Sequence, residues 1–225
     1  MMAVADPTLE VERTLHDQGA RYVIGCDEVG RGAIAGPVAV GLCVVDSVLI
    51  QAGVEGMPAG LRDSKMLPEP RRELLAPLAA QWVLHSAVGL ASAEEVDRIG
   101  IIACLGLAAK RALTLLHESG ARVAESVVLL DGSHNWLSPV LSSPLRVQTR
   151  VKADRDCASV AAASVIAKVH RDRLMIDRDA VTPGYGWASN KGYGSADHYA
   201  AIDELGPSDI HRLSWLHSRE LVPAE

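Results

Sequence analysis

The sequence predicts an α/β protein built on a mixed, five-stranded sheet. Five short segments rich in Val, Ile and Leu read as strands. The first two follow each other directly, and the later ones are separated by helical stretches, an order that mixes antiparallel with parallel pairing. The chain of 225 residues is 48% apolar and 22% charged, enough for one good core and one domain. Phe is absent, so that core has to be assembled from Ala, Val, Leu and Ile.

Taken in order, residues 1–20 read as a short amphipathic helix or a loose lead ahead of a single catalytic domain over residues 21–225. Residues 21–27 are β-rich and form the first strand. After a Gly-Arg-Gly turn, residues 37–45 form the second. Residues 71–80 are helical, with Pro77 expected to kink or end them. Residues 82–91 alternate weakly and read as a third strand. Ser92 with Glu95 three positions later is a capping box, and it opens a helical stretch toward Gly120 with a break near Gly100. Residues 126–130 make a fourth strand ending at Asp131-Gly132, and residues 145–151 a fifth ending near Lys152-Ala153-Asp154. Residues 157–172 read as an Ala-rich helix. A Gly-rich loop over residues 183–194 leads to a last helix near residues 195–205, so the C-terminal part is helical.

Composition narrows the function. The longest apolar run, residues 32–45, falls short of the ~20 residues a spanning helix needs, and Gly36-Pro37 interrupts it. Asp6, Glu10 and Glu12 near the start leave no apolar stretch for a secretory signal. Cys26, Cys43, Cys104 and Cys157 are scattered without a Cys-x-x-Cys pair, which suits buried thiols in a reducing compartment. A cytoplasmic, monomeric protein away from membranes is expected. The net charge of −6 argues against nucleic-acid binding as a total. Locally, however, Lys152, Arg155, Lys168, Arg171, Arg173 and Lys191 fall within one span.

Three strand-like segments end in acid: Asp27-Glu28, Asp131 and Asp154. In open α/β sheets, sites gather at the carboxyl ends of strands. Four carboxylates converging there would repel one another without cations between them, so the cluster itself points to metal. Two hard ions roughly 3.5–4 Å apart are the usual arrangement for cutting phosphodiesters. Asp27 and Glu28 point to opposite faces of a strand, so both serve one site only if the strand stops there. Any one strand-end acid, taken alone, is as readily a turn former or a helix cap.

Two Ser/Lys pairs offer phosphate contacts. Ser164 and Lys168 share a helix face four residues apart, with Arg171 one turn on, and Asp63-Ser64-Lys65 lies in a loop. Tyr185, Trp187, Tyr193 and Tyr199 are half of the chain's eight aromatics and are interleaved with glycines. Lys191-Gly192-Tyr193-Gly194 sets a cation beside a ring on flexible backbone, as nucleic-acid binders do. Tyr185 and Trp187 read instead as a mini-core under the loop.

This ordered set resembles ribonuclease HII, the type 2 ribonuclease H of bacteria. The matching motifs are Asp27-Glu28-Val29-Gly30-Arg31-Gly32 with Gly36-Pro37-Val38, Asp63-Ser64-Lys65, Asp131-Gly132 and Lys152-Ala153-Asp154. Ala161-Ala162-Ala163-Ser164-Val165-Ile166-Ala167-Lys168-Val169, Arg171-Asp172-Arg173, Lys191-Gly192-Tyr193-Gly194 and His211-Arg212 continue the series. The resemblance implies a ribonuclease H-like fold, with a five-stranded mixed sheet flanked by helices and a helical C-terminal part. It implies an endoribonuclease that cuts the 5′ side of ribonucleotides in duplex DNA, and RNA in RNA–DNA hybrids, leaving 3′-OH and 5′-phosphate, with a role in ribonucleotide removal. It also implies Asp27, Glu28, Asp131 and Asp154 as the acids holding Mg²⁺ or Mn²⁺, and Gly30-Arg31-Gly32 as the reader of the ribose 2′-OH. Tyr193 would stack on the following sugar, while Ser64, Lys65, Ser164 and Lys168 would line the phosphate path.

Ala153 departs from the pattern where glycine is common, Arg62 where Asn or Asp is frequent, and Trp215 where Phe is common. Asp156 is a rival to Asp154. The alternatives are a ribonuclease HIII-like hydrolase of longer hybrids, a non-catalytic hybrid-binding module, and a Mg²⁺ phosphatase with Asp27 as nucleophile. The last would need an acid at position 29, which is Val.

Overall fold

Five strands pair into one sheet in the order β3-β2-β1-β4-β5 in a computed structural model that describes residues 6–216. They are β1 (Tyr22–Val29), β2 (Val38–Asp46), β3 (His85–Ala91), β4 (Ser126–Asp131) and β5 (Arg146–Arg150). β2 is antiparallel to both β1 and β3, while β1, β4 and β5 pair in parallel. The sheet is therefore mixed, with β2 alone running against the rest. β1 and β2 are almost wholly buried, as a strand covered by helices on both faces must be.

The helices in chain order are α1 (Glu10–Asp17), α2 (Ser47–Ala52), α3 (Glu69–Trp82), α4 (Ala93–Ile99), α5 (Ile101–Glu118), α6 (Ala153–Asp156), α7 (Ala158–Val181), α8 (Trp187–Asn190), α9 (Ala196–Leu205) and α10 (Leu213–Leu216). The alternation of β1 divides its side chains between two cores. Val23 packs with Ala158, Val160, Ala161 and Val165 of α7. Ile24 and Cys26 pack with Cys104, Leu105, Ala108 and Ala112 of α5. α7 lies so close to the sheet that a Cβ on Gly25 would stand 2.3 Å from the Ser159 carbonyl carbon, and one on Gly41 would stand 2.5 Å from the Ala163 oxygen. The Ala-rich stretch of α7 is the other half of that fit.

All five expected strands form, and the capping box at Ser92 and Glu95 is present. Gly100, at φ +80°, separates α4 from α5. Some boundaries differ from expectation. α3 runs through Pro77 to Trp82, which delays β3 to His85. Pro77 sits on the exposed side of the helix, where water can take the carbonyl it leaves unpaired. α7 continues nine residues beyond Asp172. The loop after it holds a single turn, α8, and Ser195 caps α9.

The N-terminal segment is more than a lead. Leu9 and Leu15 are buried in the α7-side core, and Thr8 pairs with Cys157 in a β-bridge. The buried Glu12 carboxylate accepts Ser159 N–H at 2.9 Å and Ser159 Oγ–H at 2.7 Å. It thereby caps α7, whose own N-cap, Cys157, supplies no side-chain bond. The four cysteines are free and buried. Among the described residues, no helix is long and apolar enough to cross a membrane.

Candidate active site

The last paired residues of β1 and β4 are Cys26 and Leu130, so Asp27 and Asp131 follow side by side on neighbouring parallel strands. Both share the parity of Val23, Val127 and Leu129, which face α7. After β5 the chain turns through Lys152, in the left-handed conformation at φ +61°, into the single turn of α6. That turn brings Asp154 back over the strand ends. Asp131 Oδ1 anchors it by accepting Ala153 N–H at 2.7 Å and Asp154 N–H at 3.3 Å. Asp27, Asp131 and Asp154 can thus place one carboxylate oxygen each within 4.8 Å of one another.

Glu28 takes the other course. β1 does not stop at the two acids, as one shared site would require, but runs on to Val29, with Asp27 opposite Gly41 and Glu28 opposite Val40. Glu28 therefore leaves on the α5 side of the sheet, where Arg31 NH1 lies 3.3 Å from its Oε1. Asp156, the rival to Asp154, turns away to Arg150 and Arg155.

Crowded carboxylates in a buried setting resist ionisation. Burial holds the Asp27 carboxyl well above the ordinary carboxylate range. The Ser164 hydroxyl and Lys65 work against that shift, while the Glu28 and Asp131 charges add to it. Asp131 is raised by burial and then by Asp154, against its three backbone hydrogen bonds. Glu28 is raised by burial, against Arg31. Among the described residues, the three clustered carboxylates share one ion pair, from Asp154 Oδ2 to Lys65 Nζ at 3.2 Å. Partial burial works against the Lys65 ammonium, but the charges of Asp27, Asp63 and Asp154 outweigh it and raise its pKa. The Lys65 side chain is 71% exposed, so this cation reaches the cluster from solvent. Three hard oxygen donors with so little compensating charge suit divalent metal.

Ser64 and Ser164 come together beneath the surface, with Ser164 Oγ donating to Ser64 Oγ at 2.9 Å. Lys168 Nζ contacts Asp172 Oδ1 at 2.7 Å and lies 5.4 Å from the centre of the Tyr193 ring. Arg72 completes this edge, 3.6 Å from Asp172 and donating to the carbonyls of Ser64 and Leu67.

Arg171 is not the surface phosphate contact its spacing suggested. Its guanidinium is buried and donates to the carbonyls of Pro37, Ala35 and Lys191. Arg212 does the same for Gly30, Arg31 and Gly36, and its guanidinium stacks 4.9 Å from the Trp215 ring. Arg212 thus holds the Gly30-Arg31-Gly32 turn by its backbone, and Arg171 holds the stretch that follows, at Ala35 and Pro37. A Cβ at Gly30 would meet Arg171 Nε at 2.1 Å, whereas one at Gly32 would meet nothing within 4 Å. Arg171 also fixes the aromatic loop at Lys191 O, and Gly192 O accepts Ile34 and Ala35 N–H. Tyr193, 37% exposed, is thereby docked on the glycine-turn loop. Lys191 is buried and tied to Glu69 and Ala188 O, so it is not a free phosphate contact. Tyr185 and Trp187 stack 4.8 Å apart in a mini-core with Ala35 and Met175, as the sequence suggested.

A family model described as Ribonuclease HII matches residues 24–218. The chain belongs to the ribonuclease HII family. The Ribonuclease HII of Streptomyces avermitilis is 45% identical over 217 residues, covering 96% of this chain and 86% of that protein. The Ribonuclease HII of Paracoccus denitrificans is 42% identical over 222 residues, covering 97% and 96%. The crystal structure of ribonuclease H2 from Pyrococcus horikoshii superposes with a TM-score of 0.68 at 26% identity, over 88% of this chain and 96% of that one.

As a member of that family the protein is an endoribonuclease acting on RNA–DNA hybrids, on a ribonuclease H-like fold. Arg72, Glu12 and the backbone-binding role of Arg171 and Arg212 were not legible in the sequence. Arg171-Asp172-Arg173 and His211-Arg212 flagged part of that set, Arg171 with a phosphate-contact role it does not have and Arg212 with no assigned task.

Proposed function

We propose that this endoribonuclease cuts on the 5′ side of single ribonucleotides embedded in duplex DNA, as well as RNA within hybrids, leaving 3′-OH and 5′-phosphate. The observation that carries the reading is the docking of Tyr193, through Gly192, onto the glycine-turn loop that leaves β1 just after Asp27 of the Asp27, Asp131 and Asp154 cluster. A ribose sensor, a stacking ring and an acidic centre then form one surface. The 2′-OH is what separates RNA from DNA at a site, and a glycine turn held open at Gly32 lets backbone groups approach it.

Asp27, Asp131 and Asp154 are the residues to hold two divalent ions, Mg²⁺ or Mn²⁺. Glu28 assists from the opposite face of β1, where its charge adds to the rise of the Asp27 carboxyl and the Asp131 charge adds to its own. The chemistry such ions supply is activation of water and stabilisation of the leaving 3′ oxygen. Lys65 and Lys168 are the cations placed for the phosphate path, and the buried Ser64–Ser164 pair fixes the loop that carries Lys65. The reading places a monomer in the cytoplasm, in keeping with four buried free thiols.

A labelled duplex with one ribonucleotide, assayed with and without Mg²⁺ or Mn²⁺, tests this. Cleavage is expected only with metal and only 5′ to the ribonucleotide. Equal cleavage of an all-DNA duplex would overturn the assignment of the glycine turn.

A further inference from the structure

Tyr193 carries the stacking ring, and its own backbone is held by a buried side chain. His198 Nδ1 lies 2.9 Å from the Tyr193 carbonyl oxygen. A carbonyl can only accept, so Nδ1 carries the proton. The opposite ring nitrogen, His198 Nε2, receives Trp187 Nε1–H at 3.0 Å and faces His211 Nε2 at 3.1 Å. His211 is fixed from its far side, where Nδ1 accepts Ser208 N–H at 2.8 Å. That leaves the His211 proton on Nε2, pointing at His198. The hydrogen bonds close with one assignment: His198 protonated on Nδ1, His211 on Nε2, and both neutral. His198 is completely buried and His211 nearly so. Burial holds both below the ordinary histidine value, with His211 pushed down to about 4 by burial and then by His198. A second proton on either ring would set N–H against N–H inside this cluster.

We infer that His198 is a positioning residue for substrate selection, and that its Nδ1–H sets the Tyr193 backbone so that the ring meets the nucleotide beside the ribose. Ser195 N–H shares the same carbonyl at 2.9 Å, and Tyr193 N–H is held by Asn190 O. The peptide is thus pinned at both ends. Ser195 is itself the N-cap of α9 and its hydroxyl accepts His198 N–H, so the histidine supplies one of the carbonyl's donors and bonds the residue that supplies the other. Trp187 and His211 set the His198 tautomer; they do not touch Tyr193 through these bonds.

The inference rests on the proposed role of Tyr193, and two substitutions separate its parts. The amide of Asn can reproduce an Nδ1 donor, and that of Gln can reproduce a group at the Nε2 position. His198→Asn keeps the bond to Tyr193 and strands Trp187 and His211, whereas His198→Gln does the reverse. The readout is the rate ratio between a single-ribonucleotide duplex and a long hybrid, at fixed salt, beside the melting temperature. His198→Gln should lower that ratio about three- to tenfold, the effect of one lost hydrogen bond, in the direction of Tyr193→Ala. His198→Asn should lower the melting temperature more and the ratio less. A ratio that simply follows melting temperature through both variants would overturn the inference and leave His198 a packing residue. Ring ¹⁵N shifts of the wild-type protein give an answer that needs neither variant nor substrate. His198 should show a protonated Nδ1 and a bare Nε2, and the opposite tautomer would refute the assignment. Failure of the wild-type protein to cut at single ribonucleotides would count against the proposed function, whereas a wrong tautomer counts against His198 alone.

Discussion

Asp27 and Tyr193 show how different the demands on single residues are at this site. Asp27 is buried, and its carboxyl is raised by burial and by its neighbours' charges, so its ionised form costs stability when no ion is bound. Asp27→Asn should abolish cutting while the metal-free protein keeps or gains melting temperature, measured in chelator. A clear loss of stability in chelator would show that the carboxylate's contacts outweigh the repulsion. At Tyr193, stacking is worth roughly 1–3 kcal/mol by alanine substitution. Tyr193→Ala should therefore lose about tenfold or more on an RNA–DNA junction, and Tyr193→Phe much less. Tyr185→Ala is the control: Tyr185 stacks on Trp187 and donates to Gly206 O at 2.8 Å, so it should lower melting temperature more than selectivity. Gly32→Ala completes the set. The added Cβ meets no protein atom within 4 Å, so the fold should hold while activity on a lone ribonucleotide falls. Unchanged activity would show that no ligand backbone comes close at Gly32.

α7 is the element on which the site depends. It carries Ser164 and Lys168 toward the strand ends, buries Arg171 under the glycine turn, and lies on Gly25 and Gly41 where no side chain could stand. Its N-terminus is capped from α1 by Glu12, a tertiary cap that nothing local in the chain announces. Glu12→Ala would leave the buried Ser159 donors unpaired, at about 1–3 kcal/mol. For a chain of this size that is several degrees of melting temperature, at ~2–4 °C per kcal/mol. Denaturant unfolding checks it, and a loss of under ~0.5 kcal/mol would mean that water replaces the carboxylate. Periodicity marked α7 through Asp172 but not to Val181, because beyond that point charged and apolar residues come in short blocks, and the partners buried around Met175, Ala35 and Tyr185, come from loops outside the helix. Pro77 misled in the same direction. A proline inside a helix is a strong local stop, and only the exposure of that face lets α3 continue.

For the whole molecule, the raised carboxyls set the response to pH. Glu12, Asp27, Glu28 and Asp131 all have folded-state values above their ordinary ones. Between the ordinary carboxylate range, about 4, and those raised values, the folded state binds more protons than the unfolded one. The carboxyls' contribution to metal-free stability should therefore fall as pH rises through that window, whereas His170, His198 and His211, held below their ordinary value, contribute in the opposite sense below about pH 6.5. Divalent metal needs the ionised carboxylates, so stabilisation by Mg²⁺ or Mn²⁺ should grow over the same range. At a hundred times the dissociation constant, one bound ion adds about 2.7 kcal/mol. Melting curves between about pH 5 and pH 8, with chelator or with metal, measure both slopes. A metal-induced shift that persists in Asp131→Asn would place the ion elsewhere.

The sequence alone was enough for the architecture and for the convergence of Asp27, Asp131 and Asp154. Strand patterning is written locally, in runs of Val, Ile and Leu that end in Asp27, Asp131 and Asp154, and so is the capping box at Ser92. The choice between Asp154 and Asp156 also followed from a motif, Lys152-Ala153-Asp154, and the fold agrees with it. What the sequence left open depended on direction and neighbours. Side-chain alternation sends Glu28 to the α5 face once β1 is seen to continue to Val29, and no spacing rule shows where a strand stops. The solvent-exposed reading of Arg171 and Lys191 failed because burial belongs to contacts between distant segments. Residues 30–37, 171, 191 and 212 meet only when α7 and the C-terminal segment fold back over the glycine turn. The site's chemistry is local and legible, whereas the backbone ties that hold it in place join residues up to 182 positions apart and exist only in the folded chain.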